Sequence, residues 1–324
     1  MKISIIMYHY VRDMENSEYP NIKGLSTEQF REQLSYINKH YTVISADNLM
    51  DAIESGGSLP KNALLLTFDD GYIDHFQQVF PLLEKQNLPG LFFPSAKCVD
   101  EKKVLDVNKV HFILSSAHDH LGVVHDMFTL IDKYRSQYNL NSNEYYLNSP
   151  YKKNRYDPEE VTLIKQMLQY KLPETLRCKI TNSLFKKYVT KDEAGFSQEL
   201  YMSRAQIACL KENGMYIGSH GYGHYWLNTL SEDDQKREID LSMNFLESIG
   251  SNTRRWIMCY PYGAHNHSLL NLLKKRGCVA GLTINIGIAD ITKDNLLTLP
   301  RLDTNDLPVT ANAVPNQWTT DALT

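Results

Sequence analysis

The segment Ala63-Leu64-Leu65-Leu66-Thr67-Phe68 is apolar almost without interruption and ends on two consecutive aspartates, Asp69 and Asp70, followed by Gly71. A short continuous apolar run bounded by a turn signal fits a strand covered on both faces, as in a parallel sheet with helices packed outside it. Adjacent carboxylates at such a strand end repel each other, and one would take up a proton unless a cation shared their site. One short stretch thus limits both the fold and the chemistry.

The rest of the chain repeats the pattern. Strand-like runs over 3–8, 41–44, 63–68, 91–94, 215–218, 256–259 and 278–282 alternate with helical ones. Ser26 with Gln29, then Ser45 and Ser203, mark helix starts, and Pro81 predicts a kink in the helix after the acidic turn. The helix expected over 231–249 carries acids in its first turn that complement its dipole. Such alternation implies an α/β fold, a largely parallel sheet or (β/α) barrel with its ligands at the carboxyl ends of strands. Residues 101–200 break the alternation: Asp157-Pro158-Glu159-Glu160 and Pro173-Glu174 open helices there, and the region reads as a helical insertion. The segment 308–324, rich in Thr, Asn and Ala, reads as an irregular tail.

A second polar stretch, Ser219-His220-Gly221-Tyr222-Gly223-His224, follows another predicted strand. On a helix the spacing would put both imidazoles on one face, whereas Gly221 and Gly223 favour a tight loop; either geometry lets both rings reach one ion. Taken singly, the histidine pair suits a solvated face and Asp-Asp-Gly an ordinary turn. Together, each after a strand, they form a set of two imidazoles and a carboxylate with a second carboxylate beside it. Three ligands and an open position let a zinc-like ion lower the pKa of water from about 15.7 to about 7, and the spare aspartate can take the proton. The set suits a divalent metal, zinc first, and also accepts other first-row ions.

At these residues the chain resembles the polysaccharide deacetylases, carbohydrate esterase family four of the NodB type. Thr67 to Tyr72 is similar to the family's first motif, His220 to His224 to its second and Tyr260-Pro261-Tyr262-Gly263 to its third, while Met7-Tyr8-His9 and the segment 297–303 match patterns of many members. The resemblance covers 1–97 and 200–305. It implies one deacetylase domain over 1–324, a distorted (β/α) barrel with the insertion 101–200. It also implies Asp69 as general base, Asp70, His220 and His224 as metal ligands, and the backbone amide around Tyr262 as part of an oxyanion hole. Gly263 suits such a loop, since it lets the backbone approach a substrate.

Three departures from the family pattern matter. Gly221 stands where a serine or threonine usually steadies the histidine loop. Met258-Cys259-Tyr260 lacks the arginine that orients the base, and Arg301, from a later strand, is the expected replacement, since a guanidinium on Asp69 would favour its ionised form. No histidine follows His267, so the general acid must come from elsewhere. His9, ending the first strand, is the leading candidate, with His265 and His267 behind it.

The insertion carries Tyr134, Tyr138, Tyr145, Tyr146, Tyr151 and Tyr156, which suit a lid stacking on sugar rings, a homo-oligomer contact, or plain buried packing. Its His118, His120 and His125 read as surface residues. A net charge of -4 argues against nucleic acid as a partner. Five cysteines without pair spacing fit reduced thiols in the cytoplasm, the start of the chain holds too short an apolar run for a signal peptide, and no stretch is long enough to span a bilayer. The resulting expectation is a cytoplasmic, metal-dependent hydrolase that removes an N-acetyl group from a sugar or glycan precursor in polysaccharide biosynthesis. Its rivals are an O-acetyl esterase or non-sugar amidase on the same site, and a catalytically silent carbohydrate-binding protein.

Overall fold

The computed structural model describes residues 1–148 and 157–323. They divide into two compact units: Met1–Asp13, Lys23–Glu101 and Gln198–Thr324 in the first, Met14–Ile22 and Lys102–Ser197 in the second.

The main path of the first unit's sheet is seven parallel strands, β1 (Lys2–Tyr8), β2 (Ala63–Asp70), β3 (Leu91–Pro94), β4 (Tyr216–Ile217), β5 (Trp256–Cys259), β6 (Cys278–Ile286) and β7 (Leu299–Asp303), with Thr42–Val43 added parallel to β2 and Ala289–Asp290 antiparallel to β1. Their order is β4-β3-β2-β1-β7-β6-β5. The two edges meet at a single bridge between Ser219 and Met258, where Cys259 N–H donates to the Ser219 carbonyl at 2.8 Å. The barrel is therefore closed at one point and open elsewhere.

All eight residues of β2 are buried, because alternate side chains leave the strand on opposite faces and both faces are covered. Leu64, Leu66 and Phe68 pack outward with Phe30, Leu34 and Ile37 of the helix Thr27–His40. Leu65 points the other way, into a cluster with Ile5, Phe93, Ile257 and Leu282. Reciprocal capping boxes start the surrounding helices, Ser26 with Gln29, Ser45 with Asn48 and Ser203 with Gln206.

One local expectation is sharpened and another corrected. The helix after the acidic turn is irregular next to Pro81, as expected, but as a π-helical turn, His75–Val79, that passes without a break into the α-helical segment Phe80–Lys85. Pro81 lies inside this continuous helix and has no N–H to donate to the turn before it, where the backbone takes the wider π pattern. The tail is not irregular throughout: Gln317–Leu323 is a helix, with the Thr319 hydroxyl in buried hydrogen bonds to Tyr36 (2.8 Å) and Tyr41 (3.0 Å).

The second unit is helical, with Asp106–Ser116, His120–Tyr138, Asn143–Asn148, Glu159–Gln166 and Glu174–Tyr188 as main elements. Lys109, buried among them, bonds Glu193 at 2.8 Å. Tyr134 and Tyr138 meet edge to face, with the Lys179 ammonium near both rings. Tyr146 is buried and Tyr145 exposed; Tyr151 and Tyr156 lie outside the described residues. His118 and His125 are exposed, and His120 bonds the Leu114 carbonyl. Among the described residues no helix is long and apolar enough to cross a membrane.

Candidate active site

The polar residues singled out in the sequence sit at the carboxyl ends of the strands. Asp69 and Asp70 end β2, His9 follows β1, His220 and His224 follow β4, Tyr262 follows β5, and Arg301 lies on β7. The turn is abrupt: Asp70 and Gly71 both adopt left-handed backbone conformations, with φ of 70° and 76°. A Cβ on Gly71 would lie 2.7 Å from that of Pro94, so glycine is required there.

Asp69 and Arg301 form a buried, two-pronged pair. Nη1 donates to Oδ1 at 2.9 Å and Nη2 to Oδ2 at 2.7 Å. The guanidinium also donates through Nε to the Thr283 carbonyl (2.8 Å) and through Nη1 to Thr67 Oγ1 (3.1 Å), so its direction is set from two strands, β2 and β6. Burial alone would raise the pKa of Asp69, but the Arg301 charge and its hydrogen bonds outweigh that and hold the carboxyl far below the usual range. Cys259 Sγ approaches the same carboxylate at 3.3 Å.

Asp70 faces the histidines. Its Oδ1 lies 3.3 Å from His220 Nε2 and 3.2 Å from His224 Nε2, yet this buried oxygen has no hydrogen-bond partner. Three ligands about 2.0–2.1 Å from a tetrahedral ion stand about 3.3 Å apart, and all three donor atoms here lie within 4.8 Å of one another. The surroundings prepare the same atoms: Tyr72 donates to Asp70 Oδ2 at 2.5 Å, leaving Oδ1, and His220 Nδ1 bonds the Cys259 carbonyl at 2.8 Å, leaving Nε2. Burial would raise the pKa of Asp70, but the two imidazoles bring it well below the ordinary value. The residues present fit a divalent cation. A second trio, Asp69, His220 and Cys259, is also close, but Arg301 occupies both Asp69 oxygens and burial pushes the Cys259 thiol up, away from the thiolate a metal needs.

His9 Nε2 stands 4.0 Å from Asp69 Oδ2, its side chain partly open to solvent. His265 instead bonds the Gly263 carbonyl and packs on Tyr260, and His267 is exposed at a helix start. The Tyr262 ring lies parallel to Trp226 (4.4 Å, 3°) and edge-on to His224 (4.8 Å). Tyr262 and His224 both have φ of 57°, a conformation that non-glycine residues keep only when their surroundings enforce it.

The histidine loop does not lack support at Gly221. That residue has φ of 68°, strained for the serine or threonine expected there, and the loop is held by Glu238, whose Oε2 accepts from Tyr222 N–H (3.1 Å) and Gly223 N–H (2.8 Å). Ser242, one turn further along the helix Glu232–Ser248, bonds Ser219 at 2.7 Å. Neither was singled out from the sequence, although buried polar residues on the apolar face of an amphipathic helix were a usable signal.

The family model described as polysaccharide deacetylase matches residues 56–134 and 169–281. The poly-beta-1,6-N-acetyl-D-glucosamine N-deacetylase of Escherichia coli (strain K12) is 31% identical over 96 residues, 29% of this chain and 14% of that protein. The chain thus spans a small part of that relative's length. Among solved structures, the Streptococcus pyogenes deacetylase PplD superposes with a TM-score of 0.58 at 17% identity, covering 100% of this chain and 97% of the other. IcaB from Ammonifex degensii gives 0.57 at 17%, with the same coverage. Both likenesses support the fold.

Proposed function

Because the chain belongs to the polysaccharide deacetylase family, we propose that it hydrolyses the acetamide of an N-acetylated sugar in a glycan or glycan precursor, releasing acetate and the free amine. One observation carries the reading: a carboxylate pinned by Arg301 stands beside a second, Asp70, whose buried Oδ1 is left to two imidazoles. A binding module has no use for both.

Arg301 keeps Asp69 ionised but also makes it a poor base, so it can accept a proton only from water already acidified, the chemistry that a divalent ion such as zinc, held by Asp70, His220 and His224, supplies when bound. Asp69 receives that proton as the water oxygen adds to the acetyl carbonyl. The backbone amide around Tyr262 donates to the developing oxyanion. His9 gives a proton to the departing nitrogen, and its place beside Asp69 puts donor and acceptor on the same face of the site.

The test is a panel of N-acetylated sugars, including β-1,6-linked N-acetylglucosamine oligomers and nucleotide-linked monosaccharides, assayed by mass spectrometry for loss of one acetyl group with and without chelator. Matched O-acetyl sugars separate the esterase reading. No acetate from any N-acetyl substrate, with zinc, cobalt or nickel supplied, would end the proposal.

A further inference from the structure

The turn after the acidic pair makes three contacts with the segment that carries His9. The Tyr72 ring stacks on Tyr10 at 4.1 Å. Asp74 accepts from Arg12 Nε and Nη2, each at 2.8 Å. His75 Nε2 lies 2.7 Å from the His9 carbonyl oxygen. Thus residues 72, 74 and 75 grip residues 10, 12 and 9, and His75 begins the π-helical turn His75–Val79. Such turns are rare and recur at functional sites.

His75 is an odd choice for its surroundings. It is fully buried against Phe68, Tyr72 and Phe92, with ring centroids 5.5 to 5.9 Å away. A carbonyl only accepts, so Nε2 carries the proton and Nδ1 the lone pair. Nδ1 is buried with no hydrogen-bond partner, a destabilising arrangement that phenylalanine in the same aromatic nest would avoid. Burial holds the pKa down to about 4, so the ring is neutral and the bond to His9 does not switch near neutral pH. What imidazole supplies here, and a phenyl ring cannot, is the N–H for the His9 carbonyl.

We propose that His75 is a positioning residue for His9: its Nε2–H fixes the backbone just past β1, so that the His9 imidazole stays beside Asp69. The inference rests on the reading of His9 as general acid. It carries a signature that a merely structural residue lacks. An amide nitrogen must be protonated as it leaves, whereas 4-nitrophenolate leaves without a proton, so a misplaced acid penalises the amide selectively.

The experiment compares wild type, His9→Ala, His75→Phe and His75→Gln on a β-1,6-linked N-acetylglucosamine oligomer and on 4-nitrophenyl acetate, with bound metal quantified in each. His9→Ala is expected to lower kcat on the amide by about 100-fold or more. His75→Phe is expected to lower it by about 10- to 100-fold, at least ten times more than on the ester, at unchanged metal content. His75→Gln, which keeps a donor, is expected to recover most of the loss. Equal losses of His75→Phe on both substrates, or none on the amide, overturn the inference. If His9→Ala shows no selective loss, the acid assignment fails instead; the crystal structure of His75→Phe then decides, a displaced His9 ring supporting the positioning role and an unmoved one refuting it.

Discussion

Arg301 and Asp69, 232 residues apart in the chain, meet through two parallel hydrogen bonds of 2.9 and 2.7 Å inside the barrel mouth. The stretch Met258-Cys259-Tyr260 has no arginine, and the Cys259 sulfur lies 3.3 Å from the same carboxylate. The guanidinium comes instead from β7, separated from β5 by β6, and it takes both oxygens of Asp69.

Replacing Arg301 by Met should therefore leave a buried carboxylate without its counter-charge, at a cost of about 3–5 kcal/mol, and lower turnover by about 100-fold or more. The pH dependence has a definite sign. The folded pKa of Asp69 lies below its unfolded value, so as pH falls the unfolded chain binds the proton first. The pair's contribution is complete above the ordinary carboxylate range, about 4, and lost as pH drops through the folded pKa. Urea unfolding of chelator-treated protein from pH 7 to pH 3 should show a steeper loss for wild type than for Arg301→Met. Parallel curves would mean that Arg301 does not set the ionisation of Asp69.

Metal binding is predicted at one ion per chain, through Asp70, His220 and His224. Dialysis with zinc, then elemental analysis, should give a stoichiometry near one for wild type and near zero for Asp70→Asn and His220→Ala. Calorimetric unfolding should show zinc at 100 times its Kd stabilising wild type by about 2.7 kcal/mol, a gain absent from both variants. Asp69→Asn should retain the ion and lose activity. Retention of stoichiometric zinc by Asp70→Asn would move the site elsewhere.

What was legible in advance followed from pattern. The buried run 63–68 announced a central strand because apolar residues occupy both its faces, and the polar clusters gathered because parallel strands all point their ends the same way. Arg301 and His9 could be named because a motif lacked a part and because one lies on a late strand and the other just past the first. The insertion was visible as a loss of alternation, although the segment Met14–Ile22, which groups with it, carried no such mark. What stayed hidden were the supports. Glu238, Tyr72 and the Cys259 carbonyl act by one or two hydrogen bonds each, and although the helix pattern puts Glu238 on the apolar face, no spacing rule encodes partners that the folded backbone sets. Pro81 marked the irregular stretch of its helix, but not that the irregularity takes the form of a π turn starting at His75.

Glu238 offers a test of that hidden support. One carboxylate oxygen satisfies two loop amides, so Glu238→Ala leaves both unpaired while Glu238→Gln keeps one acceptor oxygen. Unsatisfied buried donors cost about 1–3 kcal/mol, and loosening the loop that bears two ligands should weaken zinc binding by about 10- to 100-fold. The order expected from titration calorimetry is wild type, then Gln, then Ala. Equal affinities in all three would show that the histidine loop is held by other contacts.

Trp226 carries the last prediction. Tyr262 holds φ of 57° and ψ of 11°, at a cost of about 1–2 kcal/mol for a residue with a Cβ, and its ring lies flat against Trp226 at 4.4 Å while its edge meets His224. Aromatic contacts of this kind are worth about 0.5–1.5 kcal/mol each. The two magnitudes match, so removing the indole should tip the balance and let the Tyr262 backbone relax. Because its amide is assigned to the oxyanion and not to the bound substrate, Trp226→Ala should lower kcat by about tenfold with little change in KM, and Trp226→Phe should restore most of it. Zinc content should stay near wild type, since His224 keeps its place through the loop bonds to Glu238. A raised KM with kcat intact would instead assign the indole to substrate binding.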